Sequence, residues 1–397
     1  DAWFVIGSDP EDLRIEVNDQ DARYPITIDP VSTTTVNRFL AGPIGGGYGR
    51  CVAAAGDLNG DGYGDVAVGA PENANGGEVY VYYGTSAGIG AAPNVTLNCG
   101  FPGANFGLGV DGAGDVNGDG FGDLIVGASA WNNNGATPVE GAVFVYHGSA
   151  TGIPAVPTAT LETNTANSYM GSSVAGLGDI NGDGFSDIVA GGWLASYPNS
   201  NEGAAWIFLG TATGLNPVFR HRLERNFGSA QFGFSVAGAG DVNGDGFNDA
   251  VIGAHKYRLN VAAPAVDGAI FVYHGSANAF GAGLNPNPTL TFNTTGYSTR
   301  CVASAGDVIG DGYSDVLIGC SLWANGQAGE GAAFLHLGSA TGISSSAFYR
   351  YESNVVNANM GEWVSTAGDV NGEEYSDKNM SAPGLAGVSE YIYHGGK

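Results

Sequence analysis

The sequence predicts an all-β fold, a β-propeller of six four-stranded blades with seven as the alternative. Three observations predict it. A nine-residue acidic phrase recurs six times at a period of about sixty residues. Each copy is followed by short runs rich in β-branched and aromatic residues. Gly makes up 68 of the 397 residues, and each Gly disfavours a helix by about 1 kcal/mol relative to Ala.

The phrase reads DLNGDGYGD at 57–65, DVNGDGFGD at 115–123, DINGDGFSD at 179–187, DVNGDGFND at 241–249, DVIGDGYSD at 307–315 and DVNGEEYSD at 369–377. An aromatic-Gly or Met-Gly pair precedes five copies: Tyr48-Gly49, Phe106-Gly107, Met170-Gly171, Phe232-Gly233 and Met360-Gly361. The fifth copy has Ser298-Thr299 there. A run such as VAVGAP follows the phrase, then an alternating run such as GEVYVYYG, a turn like SATGI and a last run such as TATLETN. Four short strands with Gly-rich turns make a propeller blade, and no helical period competes.

The sixth copy stops at YIYHGG, after its third strand, while TTTVNRFLAG at 33–42 has the character of an outer strand. The expectation is that this N-terminal strand completes the sixth blade and closes the ring, which removes exposed sheet edges. Residues 32–397 are therefore read as the propeller. Residues 1–31 do not match the repeat; WFVIG, LRIEV and YPITI read as three strands. They belong to the tail of an upstream β domain, to a seventh blade, or to an element for self-assembly.

Acidic residues outnumber basic ones 39 to 13, for a net charge of −26, which argues against nucleic acid and anionic membrane as partners. No stretch approaches the roughly 18 apolar residues of a membrane span. No signal peptide is visible and the chain begins at Asp1, so a mature or trimmed product is expected. The four cysteines form no CxxC pair. Two disulfides, Cys51–Cys99 and Cys301–Cys320, are the expectation for an extracellular chain, with buried free thiols as the alternative.

The phrase D-x-N-x-D-x-(Y/F)-x-D places side-chain oxygens at positions 1, 3, 5 and 9 and a backbone carbonyl at position 7. Hard oxygen donors in a compact loop suit Ca²⁺, and the Gly at positions 4 and 6 permit the tight wrap. The candidate ligands are Asp57, Asn59, Asp61, Tyr63 and Asp65; Asp115, Asn117, Asp119, Phe121 and Asp123; Asp179, Asn181, Asp183, Phe185 and Asp187; Asp241, Asn243, Asp245, Phe247 and Asp249. Position 12, a bidentate Glu in an EF-hand, is apolar throughout (Val68, Val126, Ala190, Ile252, Ile318, Met380). This is therefore a hairpin loop closed by the ninth-position Asp. An Asx-rich turn without metal is the plain alternative, but packed carboxylates repel one another without a cation.

Two loops depart from the pattern. The fifth keeps Asp307, Asp311, Tyr313 and Asp315 but has Ile309 at position 3. The sixth has Asp369, Asn371 and Asp377 with Glu373 at position 5 and Glu374 in place of Gly. Four strong Ca²⁺ sites and one or two weaker or rebuilt ones are expected, with Asp377→Ala milder than Asp61→Ala or Asp245→Ala.

The aromatic-Gly pair, the D-x-N-G-D-G-x-x-D loop and the Gly69-Ala70-Pro71 run together resemble the FG-GAP repeat of the integrin α-subunit N-terminal propeller. The resemblance covers about residues 32–397. The near-complete set of metal loops and the YPITIDP lead-in look like bacterial surface FG-GAP proteins. The resemblance implies a propeller with Ca²⁺ in its loops, extracellular placement and an adhesive role, with ligands on the rim opposite the metal. It implies seven blades in integrins, against six copies here.

On that opposite rim the loops carry Trp131, Trp193, Tyr197, Tyr257 and Trp323. These are candidates to stack on a sugar or anchor a protein; packing of the blade tops is the alternative. Glu140, Glu202, Asp267 and Glu330 precede a Gly in the same loops and read as turn organisers. His147, His274 and His394 share one repeat slot, which argues for structure rather than catalysis. The functional expectation is a non-enzymatic, calcium-binding adhesion or scaffold module for an extracellular protein or glycan. The alternatives are a lectin or lyase-like carbohydrate enzyme, with His255, Lys256 and Arg258 as the nearest basic cluster, and a structural subunit of an extracellular polymer.

Overall fold

The computed structural model describes residues 2–6, 13–17, 40, 42, 46–132, 139–257, 268–293, 299–369, 372–373, 375–385 and 390–396. Among these there are strands and turns but no helix. β1 (Ala2–Ile6) and β2 (Leu13–Val17) pair antiparallel as a separate hairpin. Blade one is β3 (Cys51–Gly56), β4 (Asp65–Ala70), β5 (Glu78–Tyr82) and β6 (Val95–Leu97). Blade two is β7 (Phe106–Gly114), β8 (Asp123–Ala128), β9 (Ala142–Tyr146) and β10 (Ala159–Glu162). Blade three is β11 (Ser173–Gly178), β12 (Asp187–Gly192), β13 (Ala204–Phe208) and β14 (His221–Leu223). Blade four is β15 (Phe232–Gly240), β16 (Asp249–Ala254), β17 (Ala269–Tyr273) and β18 (Leu290–Asn293). Blade five is β19 (Cys301–Gly306), β20 (Asp315–Cys320), β21 (Ala332–His336) and β22 (Tyr349–Glu352). Blade six shows β23 (Val364–Gly368), β24 (Asp377–Ser381) and β25 (Glu390–Tyr393).

Every blade is an antiparallel meander in sequence order. The first strands pack on one another in succession from β3 to β23 and form the inner ring. Blades one and six face each other across a cavity of ≈ 400 Å³ lined by Arg50, Val52, Trp363 and Asn379 among others. The expected closing strand at 33–42 lies almost wholly outside the described residues. Leu40 is described; it packs against Val68, Ala70, Tyr80 and Tyr82 of blade one. The YPITI run also lies outside the described residues.

The burial pattern explains the composition. β8, β12, β16 and β20 are buried at every position, as are β9, β13 and β17. A sheet with a neighbour on each face has no solvent side, so its middle strands read as apolar runs rather than alternating ones. Between the first and second strands the register slips by one residue, at Ala54/Gly56 in blade one and at the equivalent place in the others. Gly56 (φ 77) stands in the left-handed region there. Such a bulge turns the chain sharply out of the sheet, and the acidic loop begins at the next residue.

The structure corrects the cysteine expectation: all four are free thiols. Cys301 pairs in register with Gly319, so Cys320 points to the opposite face. Cys301 accordingly packs towards blade six and Cys320 towards blade four. Cys51 lies on the inner strand and Cys99 beyond the outer one, with β4 and β5 between them. Three strand spacings of about 4.8 Å exceed the reach of a disulfide.

Candidate metal centres and the opposite rim

The six acidic loops connect first to second strands and therefore share one rim. In loop one, Asp57 Oδ1 accepts the N–H groups of Gly60 (2.7 Å) and Asp61 (3.1 Å), and its Oδ2 accepts that of Gly62 (2.8 Å). These donors, Gly62 first, hold the Asp57 carboxyl below its usual range. Asp61 Oδ1 accepts the N–H of Tyr63 at 3.0 Å, and Asn59 Nδ2 donates to Asp61 Oδ2 at 3.1 Å. Asp115, Asp179 and Asp241 repeat the first-position pattern. So does Asp307, although Ile309 offers loop five no side-chain oxygen. In loop six Asp369 Oδ1 accepts from Gly372 at 2.7 Å and Glu373 at 3.1 Å; Asn371 and Glu374 lie outside the described residues.

The ninth-position Asp has a second task that the sequence reading missed. Asp65 is 1 % exposed. Its Oδ2 accepts the N–H of Leu58 at 2.8 Å and its Oδ1 that of Gly84 at 2.7 Å, past the end of the third strand. Asp123 does the same with Val116 and Gly148, Asp187 with Ile180 and Gly210, Asp249 with Val242 and Gly275, and Asp315 with Val308 and Gly338. This Asp staples the loop to the far hairpin of its own blade. The invariance of position 9 across all six copies, including the two degraded ones, was the available signal.

Burial raises these carboxyls, with help from the neighbouring first- and fifth-position carboxylates: Asp187 and Asp249 to about 7, Asp123 and Asp315 to about 6. Each complete loop thus concentrates three carboxylates, one of them desolvated, with no basic side chain among its nine residues. A carboxylate has about four lone-pair sites. These donors leave lone-pair sites open on Asp61 and Asp65. The donor set and the charge imbalance fit a hard divalent cation such as Ca²⁺. Such an ion would be held by positions 1, 3, 5 and 9 and would supply the missing positive charge.

The loops are also coupled to one another. Phe121, at position 7, lies against Gly60 of the preceding loop so closely that a Cβ on Gly60 would stand 2.5 Å from the ring. Phe185 sits on Gly118, Phe247 on Gly182, Tyr313 on Gly244 and Tyr375 on Gly310 in the same way. The fourth-position Gly is therefore required by close approach as well as by its positive φ.

On the opposite rim the aromatic candidates are half-buried, in keeping with the packing alternative. Trp131 packs edge-on to Phe144, Tyr257 to Phe271 and Trp323 to Phe334. Tyr197 lies against Trp206 with the Arg222 guanidinium over its face, and Trp193 meets Phe234. All five cover the blade tops. Glu202 and Glu330 are buried and accept from Asn199 and Asn325 within their own loops, as turn organisers do. Asp267 and Arg258 lie outside the described residues. Among the described residues this rim also exposes the apolar side chains of Leu322 (62 %), Val355 (45 %) and Val356 (56 %). Comparing repeats reveals them: the link equivalent to Val355-Val356 reads Thr165-Ala166 three repeats earlier.

The FG-GAP repeat family matches residues 52–82, 106–146 and 170–208, stretches that run through the first three strands of blades one to three and enclose their acidic loops. Integrin alpha-4 of Xenopus laevis is 33 % identical over 198 residues, 48 % of this chain and 18 % of that protein. Integrin alpha-V of Gallus gallus is 32 % identical over 250 residues, 60 % of this chain and 22 % of that protein. Integrin alpha-7 of Homo sapiens is 38 % identical over 151 residues, 36 % of this chain and 12 % of that protein. The chain thus spans about a fifth or less of the length of these relatives. Repeat, fold and relatives agree: this chain carries FG-GAP repeats and folds as an integrin α-like β-propeller.

Proposed function

We propose that this chain is an extracellular, calcium-loaded adhesion or scaffold module, non-enzymatic, that binds a protein or glycan on the rim opposite its metal loops. The observation that carries the reading is the division of the two rims. One rim repeats the same carboxylate cradle, complete in four blades. The other presents Leu322, Val355 and Val356 to solvent above blade tops sealed by half-buried aromatics. Exposed apolar side chains on a rigid frame suit a partner interface. The cations stiffen the frame, and the likeness to integrin α propellers supports placement at a cell surface.

The test is to immobilise the chain and present extracellular matrix proteins and a glycan array, with calcium and with EDTA. Binding that requires calcium and falls at least tenfold in Leu322→Asp supports the reading. Cleavage of a polysaccharide in the same samples, or binding indifferent to both changes, overturns it.

A further inference from the structure

We propose that blade six carries a transition-metal site of the zinc class, formed by Glu373, Asp377 and His394, where the first four blades have an all-oxygen loop. Each of these side chains brings one ligand atom to within 4.8 Å of the other two. His394 Nδ1 lies 3.3 Å from Asp377 Oδ2. That is longer than a good N–H···O bond of about 2.9 Å. It matches the separation of two ligands around a tetrahedral ion with bonds of about 2.0–2.1 Å, which is roughly 3.3–3.4 Å. Asp377 is buried and fixed, its Oδ1 accepting the N–H of Gly395 at 2.7 Å. Glu373 is exposed, and its extra methylene lets the carboxylate close on an ion.

The imidazole is an independent pointer. The same slot holds Tyr83, Leu209 and Leu337 in blades one, three and five, and His147 and His274 in blades two and four. Those two histidines are covered by the next blade's turn: a Cβ on Gly214 would stand 2.7 Å from His147 Nε2, and one on Gly342 2.6 Å from His274 Nε2. The matching Gly88 of blade one has nothing within 4 Å. His394 is left 56 % exposed and turned to Asp377. Lys378 Nζ donates to the His394 carbonyl at 3.0 Å and anchors the segment that carries the ring. Its charge is shared with Asp315 of blade five as well as Asp377 and Glu373. One imidazole with two carboxylates suits zinc, whereas Ca²⁺ takes oxygen ligands. Water completes the fourth position.

The experiment uses untagged full chain saturated with calcium and titrated with Co²⁺, whose visible absorption is intense in a tetrahedral site and weak in an octahedral one. The expected result is one equivalent giving intense bands, displaced by Zn²⁺, absent in His394→Gln, weakened tenfold or more in Glu373→Gln and kept in His147→Gln. Both substituted positions of the site are exposed, and matching circular dichroism in calcium establishes that the variants fold. Weak octahedral absorption alone, or intense bands undiminished in His394→Gln, overturns the proposal.

Discussion

Gly122 donates its backbone N–H to the carbonyl of Asp57 at 2.9 Å, joining the eighth residue of the second acidic loop to the first residue of the loop before it. Ser186 bonds Asp115 in the same way, Asn248 bonds Asp179, Ser314 bonds Asp241 and Ser376 bonds Asp307. The acidic loops are therefore links of a belt. A cation held by one first-position Asp would therefore bear on how the next blade docks as well as on its own loop.

The belt separates two glycines that look alike in sequence. Gly60 (φ 71) and Gly62 (φ 87) are both left-handed, but a Cβ on Gly60 meets Phe121 while one on Gly62 meets nothing within 4 Å. Gly62→Ala is expected to cost only backbone strain, about 1 kcal/mol. Gly60→Ala adds overpacking at a blade boundary and is expected to cost about 2–4 kcal/mol. Urea unfolding of both variants in calcium checks this; equal costs would show that the ring of Phe121 yields freely.

Positions 5 and 9 are expected to differ in their dependence on metal. Asp245 is exposed in its loop, whereas Asp249 is buried and accepts the N–H groups of Val242 and Gly275. Ions bound only by the native state stabilise it by mass action, so EDTA lowers the Tm of the wild-type chain strongly. Asp245→Ala starts lower in calcium and loses less on chelation. Asp249→Ala leaves two buried donors unsatisfied, at about 1–3 kcal/mol each, and is weaker with or without calcium. The staple also bears on the sequence-based ranking: Asp377 is buried and holds Gly395, so Asp377→Ala is expected to cost more than the weak sixth loop alone implies. Melting curves in calcium and in EDTA decide both points.

The four thiols are expected to be inert in the folded chain. Burial raises Cys51 to about 11 and Cys320 to about 12, and Cys301 also rises. A thiol, not a thiolate, reacts slowly. Dithiothreitol should leave the Tm unchanged, and alkylation of Cys301 and Cys320 should require denaturant. A Tm lowered by reductant would mean that a disulfide forms.

The repeat made most of this fold legible. Period, turn glycines and strand composition recur together, so each copy confirms the others, and the oxygen donors of the loops follow directly from residue type. What stayed hidden depends on contacts between copies. Phe121 reads as a carbonyl ligand position, and the packing of its ring on Gly60 shows only in the fold. Asp65 reads as a metal ligand alone, and its second role shows only when Leu58 and Gly84 are found donating to it. The cysteines misled because spacing along the chain does not reveal which face of a blade a side chain takes; Cys301 and Cys320 are diagonal neighbours on opposite faces. Trp131 and its equivalents stayed open between ligand and packing roles because the contact with Phe144 lies between segments distant in the repeat.

The last prediction concerns Asp111, a half-buried carboxylate on β7 outside the metal loops. Its Oδ2 accepts the N–H of Gly176 in blade three at 3.1 Å. Burial raises its carboxyl from 3.8 to about 7, outweighing the Gly176 and Gly112 N–H groups that favour the charged form. Between those two values the folded chain holds a proton that the unfolded chain has released. Stability from this group therefore rises as pH falls from about 7 towards 4, and is lost as pH rises through about 7. The ninth-position carboxyls would blur this in bare protein, so the comparison belongs in saturating calcium, between the wild-type chain and Asp111→Asn. Asn keeps an acceptor for the Gly176 N–H without a charge to desolvate. At about pH 8 the variant should melt higher than the wild type, and the gap should close by about pH 4–5, where both carry a neutral group. A gap that is independent of pH, or a variant that melts lower at about pH 8, would show that the Asp111 carboxylate is held by its donors rather than penalised by burial.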